Sequence, residues 1–107
     1  RPDPMAEMDG FEFLVALRAG ESKPAEARGI ENPAGAAAWT RKTLERFRAI
    51  GDSLHVGQPD TIVGLGPQHN LCVTQHGGNE FCIGWRSSLD ATDVRKSSKK
   101  VAAIWAS

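Results

Sequence analysis

The sequence predicts an α+β domain with the element order β-β-α-β-β-β-α. Three observations carry that expectation. Apolar residues alternate with a period of two near the start of the chain, and a Pro-free stretch in the middle repeats with a helical period. A glycine pair then separates two strand-like runs, which are followed by a last amphipathic segment. At 107 residues the chain suits a single domain, long enough to bury roughly two-thirds of its unfolded surface.

Phe11 to Leu17 alternates, with Phe11, Phe13, Val15 and Leu17 on one face and Glu12, Leu14 and Ala16 on the other. That pattern suits a strand buried on one side and partly covered on the other. Ala19-Gly20-Glu21-Ser22 supplies a turn, and Lys23 to Ile30 reads as a weaker second strand with Pro24 near its start. Asn32-Pro33 is a helix-start signal, Asn as the cap and Pro at the first helical position. The helix runs from Pro33 to about Leu54. Trp39, Phe47, Ile50 and Leu54 fall near one stripe, with Leu44 beside it, while Arg41, Lys42, Glu45 and Arg48 lie off it. Gly51 loosens the final turn, and Gly57 with Pro59 ends the element.

Thr61 to Leu65 is a short apolar strand. Asn70 to His76 and Glu80 to Arg86 flank Gly77-Gly78, the signature of a tight hairpin. Leu71, Val73, Phe81, Ile83 and Trp85 supply its apolar face. The last helix spans about Leu89 to Trp105, with Ser87 or Ser88 as its cap and Asp90 and Asp93 at its positive end. Val94, Val101 and Trp105 mark the inner stripe, and Arg95, Lys96, Lys99 and Lys100 lie outside it.

Composition narrows the functional classes. Hydrophobic residues are 40% and charged residues 24% of the chain, ordinary for a folded domain. Thirteen basic side chains balance thirteen acidic ones, so no global field attracts nucleic acid, and near-zero charge favours self-association. No apolar run approaches the roughly 20 residues of a membrane span. The opening Arg1-Pro2-Asp3-Pro4 reads as a flexible leader with no signal-type apolar core behind it. Two cysteines are too few for a disulfide framework and read as reduced, cytoplasmic thiols.

His69, Cys72, His76 and Cys82 are the residue types that hold zinc. His69 is an odd step from Cys72 along a strand, which leaves Cys72, His76 and Cys82 as a three-ligand candidate. If the glycine turn pairs Leu71 and Val73 with Phe81 and Ile83, Cys72 and Cys82 share the other face, within reach of a disulfide when directly opposed. The preferred reading makes both cysteines small buried hydrophobes, with no metal bound. Gly64-Leu65-Gly66 lacks the third glycine of a dinucleotide fingerprint, and no phosphate-binding loop, nucleophile elbow or HExxH stands in the chain. No catalytic residue is named and no cofactor is expected. The run Arg95-Lys96-Ser97-Ser98-Lys99-Lys100 reads as the solvated side of its helix, without the aromatics a single-strand binder uses. Trp39 and Phe47, eight residues apart, fit either the core or a stripe broad enough to serve both a sheet and a partner.

From Pro33 onward the chain resembles the Roadblock (dynein light-chain) superfamily. The likeness lies in Leu44-Glu45-Arg46-Phe47-Arg48-Ala49-Ile50-Gly51, in Leu54-His55-Val56-Gly57-Gln58-Pro59-Asp60 leading into Thr61-Ile62-Val63, and in the hairpin Asn70 to Arg86 with the helix behind it. Phe13 to Leu17 and the turn Ala19 to Ser22 fit the family's opening hairpin, so residues 11 to 105 are covered, in a layout shared with profilin-like and longin folds. Members usually begin with a helix, for which only Met5-Ala6-Glu7-Met8 is available; residues 1–10 are a flexible leader or a truncated first helix, and 11–107 form the single domain. The resemblance implies a five-stranded antiparallel sheet sandwiched by helices. It also implies a non-catalytic module that forms homodimers, or pairs with a related Roadblock-like subunit, as a scaffold or regulator of small Ras-like GTPases or signalling complexes. Carried onto this chain, the partner-binding surface comprises Trp39, Thr43, Arg46, Phe47 and Ile50, with Ile62 on the neighbouring strand. The alternative is a small-molecule or metal sensor using Cys72, His76 and Cys82.

Overall fold

The computed structural model describes Met5 and residues 7–106. In chain order the elements are β1 (Phe11–Leu17), β2 (Glu26–Arg28), α1 (Pro33–Leu54), β3 (Thr61–Leu65), β4 (His69–His76), β5 (Asn79–Arg86) and α2 (Ala91–Ala106). The five strands form one antiparallel sheet in the order β2-β1-β5-β4-β3. The first and last strands are therefore central neighbours, and α1 carries the chain from one sheet edge to the other. The second strand is only three residues long, with Pro24 ahead of it. No helix of the described residues is long and apolar enough to cross a membrane.

Each sheet face carries its own core. On the α2 face, Leu14, Ala16, Cys72, Phe81, Ile83 and Trp85 pack with Val94, Val101, Ala102 and Met5. On the α1 face, Val15, Leu17, Val73 and Cys82 pack with Ala37 and Leu44. Burial on both sides explains why Phe81 to Trp85 is an unbroken buried run, and it corrects the single apolar face expected for the hairpin. Phe81, Ile83 and Trp85 belong to the α2 side, Val73 to the other. Of the leader, Arg1–Pro4 and Ala6 lie outside the described residues. Met5 is buried, and the Met8 and Phe11 amides donate in successive tight turns to the carbonyls of Met5 and Met8.

The alternation expected for β1 breaks at its first residue. Phe11 pairs with Trp85 and Phe13 with Gly84, so a bulge falls between them. A bulge shifts the side-chain alternation by one, and Phe11 joins the α2-side core, its ring edge-on to Trp85 with centroids 5.7 Å apart. Phe13 remains on the α1 side and lies across Gly84, where an added Cβ would fall 2.0 Å from the Phe13 ring.

The helix ends are satisfied by local chemistry. Asn32 accepts the Gly35 amide at 3.0 Å, as the Asn-Pro start requires. At the other end, His55 adopts φ 55° and ψ 33°, with the His55 amide bonded to the Asp52 carbonyl and the Val56 amide to the Gly51 carbonyl. This is a left-handed helix stop made by a residue with a Cβ. His55→Gly is expected to raise stability by about 1 kcal/mol, the cost of that conformation for a non-glycine residue. A chemical-denaturation midpoint checks it. For α2 the cap is Asp90, whose side chain accepts the Asp93 amide at 2.8 Å. Ser88 instead accepts from Arg86 Nε at 2.6 Å, so the helix begins two residues later than its serines suggest.

Candidate protein-interaction surface on the middle helix

The buried side of α1 carries one large residue, Leu44, among small ones. Ala37, Thr40, Leu44 and Gly51 are buried, a stripe at i, i+3, i+7 and i+14. Gly51 is covered by the loop that follows the helix: a Cβ there would fall 2.1 Å from the Gly57 carbonyl oxygen. Thr40 donates its hydroxyl back to the Ala36 carbonyl at 2.7 Å, which satisfies it inside the core. One flank of the helix is held by charge. Glu80 lies between Arg41 and Arg48, each 3.4 Å away, and Arg41 also donates to the Arg18 carbonyl at 3.0 Å.

The large apolar residues lie elsewhere. Trp39 is 48%, Phe47 40% and Ile50 50% exposed, and Leu54 and Val56 more so. At about 100° per residue, Trp39, Thr43, Phe47 and Ile50 centre roughly a quarter turn from the buried stripe. The stripe read from the sequence therefore splits. Leu44 faces the sheet, while Trp39, Phe47, Ile50 and Leu54 form a separate exposed strip. Thr43 is half-buried and Arg46 exposed. Ile62 pairs with Val73 across β3 and β4, which places it on the α1 side of the edge strand, half-buried against that core. The six residues thus share one side of the sheet, five on the helix and one on the strand.

Sequence reasoning left out the end of this surface, where the loop after the helix joins it. Phe47 and Ile50 join Gly51, Val56, Gly57, Gln58 and Pro59 around an open groove of about 260 Å³ at the end of α1. The sequence signal was the helix stop itself: a residue in the left-handed region folds Val56 to Pro59 back beside the last turns. In the sequence Gly57 and Pro59 end the helix, and Val56 to Pro59 carry part of the family likeness, but none of the four is placed on the partner surface.

The cysteine–histidine cluster is not assembled. The two-residue Gly77-Gly78 turn pairs His76 with Asn79, and this register places Cys72 opposite Ile83 and Val73 opposite Cys82. Paired residues share a face, so Cys72 lies on the α2 side and Cys82 on the α1 side. The expected pairing of Leu71 and Val73 with Phe81 and Ile83 is wrong by one residue, and with it fall the shared cysteine face, the disulfide and the three-ligand site of Cys72, His76 and Cys82. Among the described residues no group of three or more His, Cys, Asp or Glu side chains can hold a metal ion.

Both thiols are free and buried. Burial pushes Cys72 above the ordinary thiol range, against a Ser98 hydrogen bond and the Lys99 charge, which favour the thiolate. Burial likewise pushes Cys82 up, to about 11, with Thr40 hydrogen-bonding opposed to it and Cys72 adding to it. An acid whose folded pKa is raised loses its proton first in the unfolded chain. Between pH 9.0, the ordinary value, and about 11, stability therefore falls as pH rises, by about 2–3 kcal/mol in total. Cys82→Ala is expected to flatten that part of the profile, as read from denaturation midpoints at the two ends of the window.

Sequence comparison with models of known families and with curated proteins gives no match. Comparison of structures does. A Roadblock/LC7 domain from Streptomyces avermitilis superimposes with a TM-score of 0.71 at 14% identity, over 96% of this chain and 92% of that one. MglB of Myxococcus xanthus superimposes with a TM-score of 0.70 at 12% identity, over 89% of this chain and 83% of that one. Strand order, helix placement and these superpositions agree: the chain has the Roadblock/LC7 fold.

Proposed function

We propose that this domain is a non-catalytic protein-interaction module that dimerises through the exposed flank of α1, with itself or with a related Roadblock-like subunit. The observation that carries the reading is the division of α1 into two apolar sides. The sheet is served by Leu44 and small residues, and Trp39, Phe47 and Ile50 are left in solvent at 40–50% exposure. Fully burying such a side chain is worth about 1.5–3 kcal/mol, and aromatic anchors with a flanking Arg are the composition of interface centres. Thr43 and Arg46 stand among them, and Ile62 extends the surface to the edge strand. The likeness to a Roadblock/LC7 domain and to MglB supports placing the chain in that superfamily, and through it the role of scaffold or regulator of a small Ras-like GTPase in a cytoplasmic signalling complex. Light scattering across a dilution series tests the assembly. A mass near twice 11.5 kDa is expected, and a monomer at every concentration defeats self-pairing. Titration with a Ras-like GTPase, loaded in turn with GDP and GTP, tests the partner; equal absence of binding in both states removes it.

A further inference from the structure

α2 covers the sheet face opposite α1 and buries Val94, Ser98, Val101 and Ala102. Its outward side carries Arg95, Lys96, Lys99 and Lys100, all exposed. Six residues of helix hold the four cations within about 8 Å along the axis and about two-fifths of the circumference. Asp90 caps the helix and Asp93 stands in its first turn; from Arg95 to Ala106 there is no acidic residue. Of the eight cations elsewhere among the described residues, four are in ion pairs: Arg28 with Glu26, Arg41 and Arg48 with Glu80, Arg86 with Asp9. The other four, Arg18, Lys23, Lys42 and Arg46, are not gathered on one short helical face. Among the described residues none of the four on α2 has a carboxylate within ion-pair distance.

We infer that the outer face of α2 is a docking surface for an anionic lipid membrane, on which the domain rests peripherally without inserting. Three features select that occupant. Three of the four cations are lysines, compact charges on flexible stems that suit a diffuse anionic sheet, whereas bidentate recognition of individual carboxylates or phosphates favours arginine. The aromatic of this helix is committed inward: Trp105 donates to Glu26 at 2.9 Å, meets the Phe81 ring edge-on, and carries the Arg18 guanidinium over its face. It is not free to stack on a nucleobase. Finally, the chain has a formal net charge of zero, so no global field draws it to an anionic surface and the attraction must be local; a planar surface engages all four cations of this face at once. Because α1 lies on the other side of the sheet, this face stays free whether or not the α1 flank is covered.

The test is co-sedimentation of the full chain with phosphatidylcholine vesicles, alone and mixed with phosphatidylserine, at low and physiological salt. Selective, salt-sensitive pelleting with the serine lipid is expected. Each lysine near an anionic surface contributes about fivefold, so Lys99→Gln with Lys100→Gln should weaken partitioning about 25-fold. Lys23→Gln with Lys42→Gln, the same charge change away from α2, should leave it unchanged. Equal pelleting with both vesicle types overturns the assignment, as does an equal loss in the two double variants. Capture by a polyglutamate peptide without vesicle binding overturns it too, and assigns the face to an acidic protein segment.

Discussion

Phe47→Asp is expected to turn a dimer into a monomer while leaving the sheet and both helices formed. Phe47 sits at the centre of the exposed strip, between Trp39 at one end and the groove lined by Ile50, Val56 and Pro59 at the other. A carboxylate there must be desolvated against apolar neighbours in the assembled state, and it removes a central aromatic anchor. Losses at such positions run to about 2–4 kcal/mol, a rise in the dimer dissociation constant of about 30- to 1,000-fold. The folded monomer does not depend on this ring, because the α1-side core is built from Ala37, Leu44, Val15, Leu17, Val73 and Cys82. Light scattering gives the mass and far-ultraviolet dichroism the fold. An unchanged dimer with an intact spectrum removes the α1 flank as the interface; Phe47→Leu, which keeps the apolar volume, should largely preserve assembly.

Gly84→Val is expected to be the most damaging conservative change in the sheet. Its Cβ would stand 2.0 Å from Phe13 Cε2 and 2.1 Å from Cδ2, a separation that forces the ring out. Phe13 is packed between that strand and the α1-side core, and its displacement exposes apolar area and opens a void beneath the helix. Overpacking combined with loss of ring burial costs about 2–4 kcal/mol. The diagnostic is a double-mutant cycle with Phe13→Ala. If the two residues occupy one space, the double variant is less destabilised than the sum of the single ones, by at least about 1 kcal/mol. Additive effects in urea unfolding would show that the valine disturbs something other than the ring.

The elements were legible because their signals are local. The alternation in Phe11–Leu17, the Asn32-Pro33 start, the Gly77-Gly78 turn and the amphipathic last helix each state a period or a cap within a few residues, and each element appears in its expected place, with a bulge at Phe11 and the last helix two residues late. The errors share another origin. Placing Cys72 and Cys82 on one face required the parity of the hairpin register, which a two-residue turn sets by joining an even position to an odd one. The inversion of Phe11 comes from a bulge, a feature of strand pairing that leaves no mark on the alternation. The late start of α2 reflects competition between caps, in which Arg86 engages Ser88 and Asp90 remains to hold the helix amides.

The interaction surface was half legible. The sequence by itself determined that α1 holds more large apolar side chains than one stripe requires, and that Trp39, Phe47 and Ile50 lie together. Which stripe meets the sheet was decided only in three dimensions. Hydrophobicity would bury the largest residues, but the side of the helix laid across β1 and β5 carries Ala37, Thr40 and Leu44, while Gly51 is buried under the returning loop, its backbone against the Gly57 carbonyl. The docking of the helix placed Ala37, Thr40 and Leu44 toward the sheet, and so left the aromatics on the outside. Period and capping belong to the chain; the choice of face belongs to how the helix docks on the sheet, set by residues of β1, β4 and β5 far from it in sequence, which no single segment encodes.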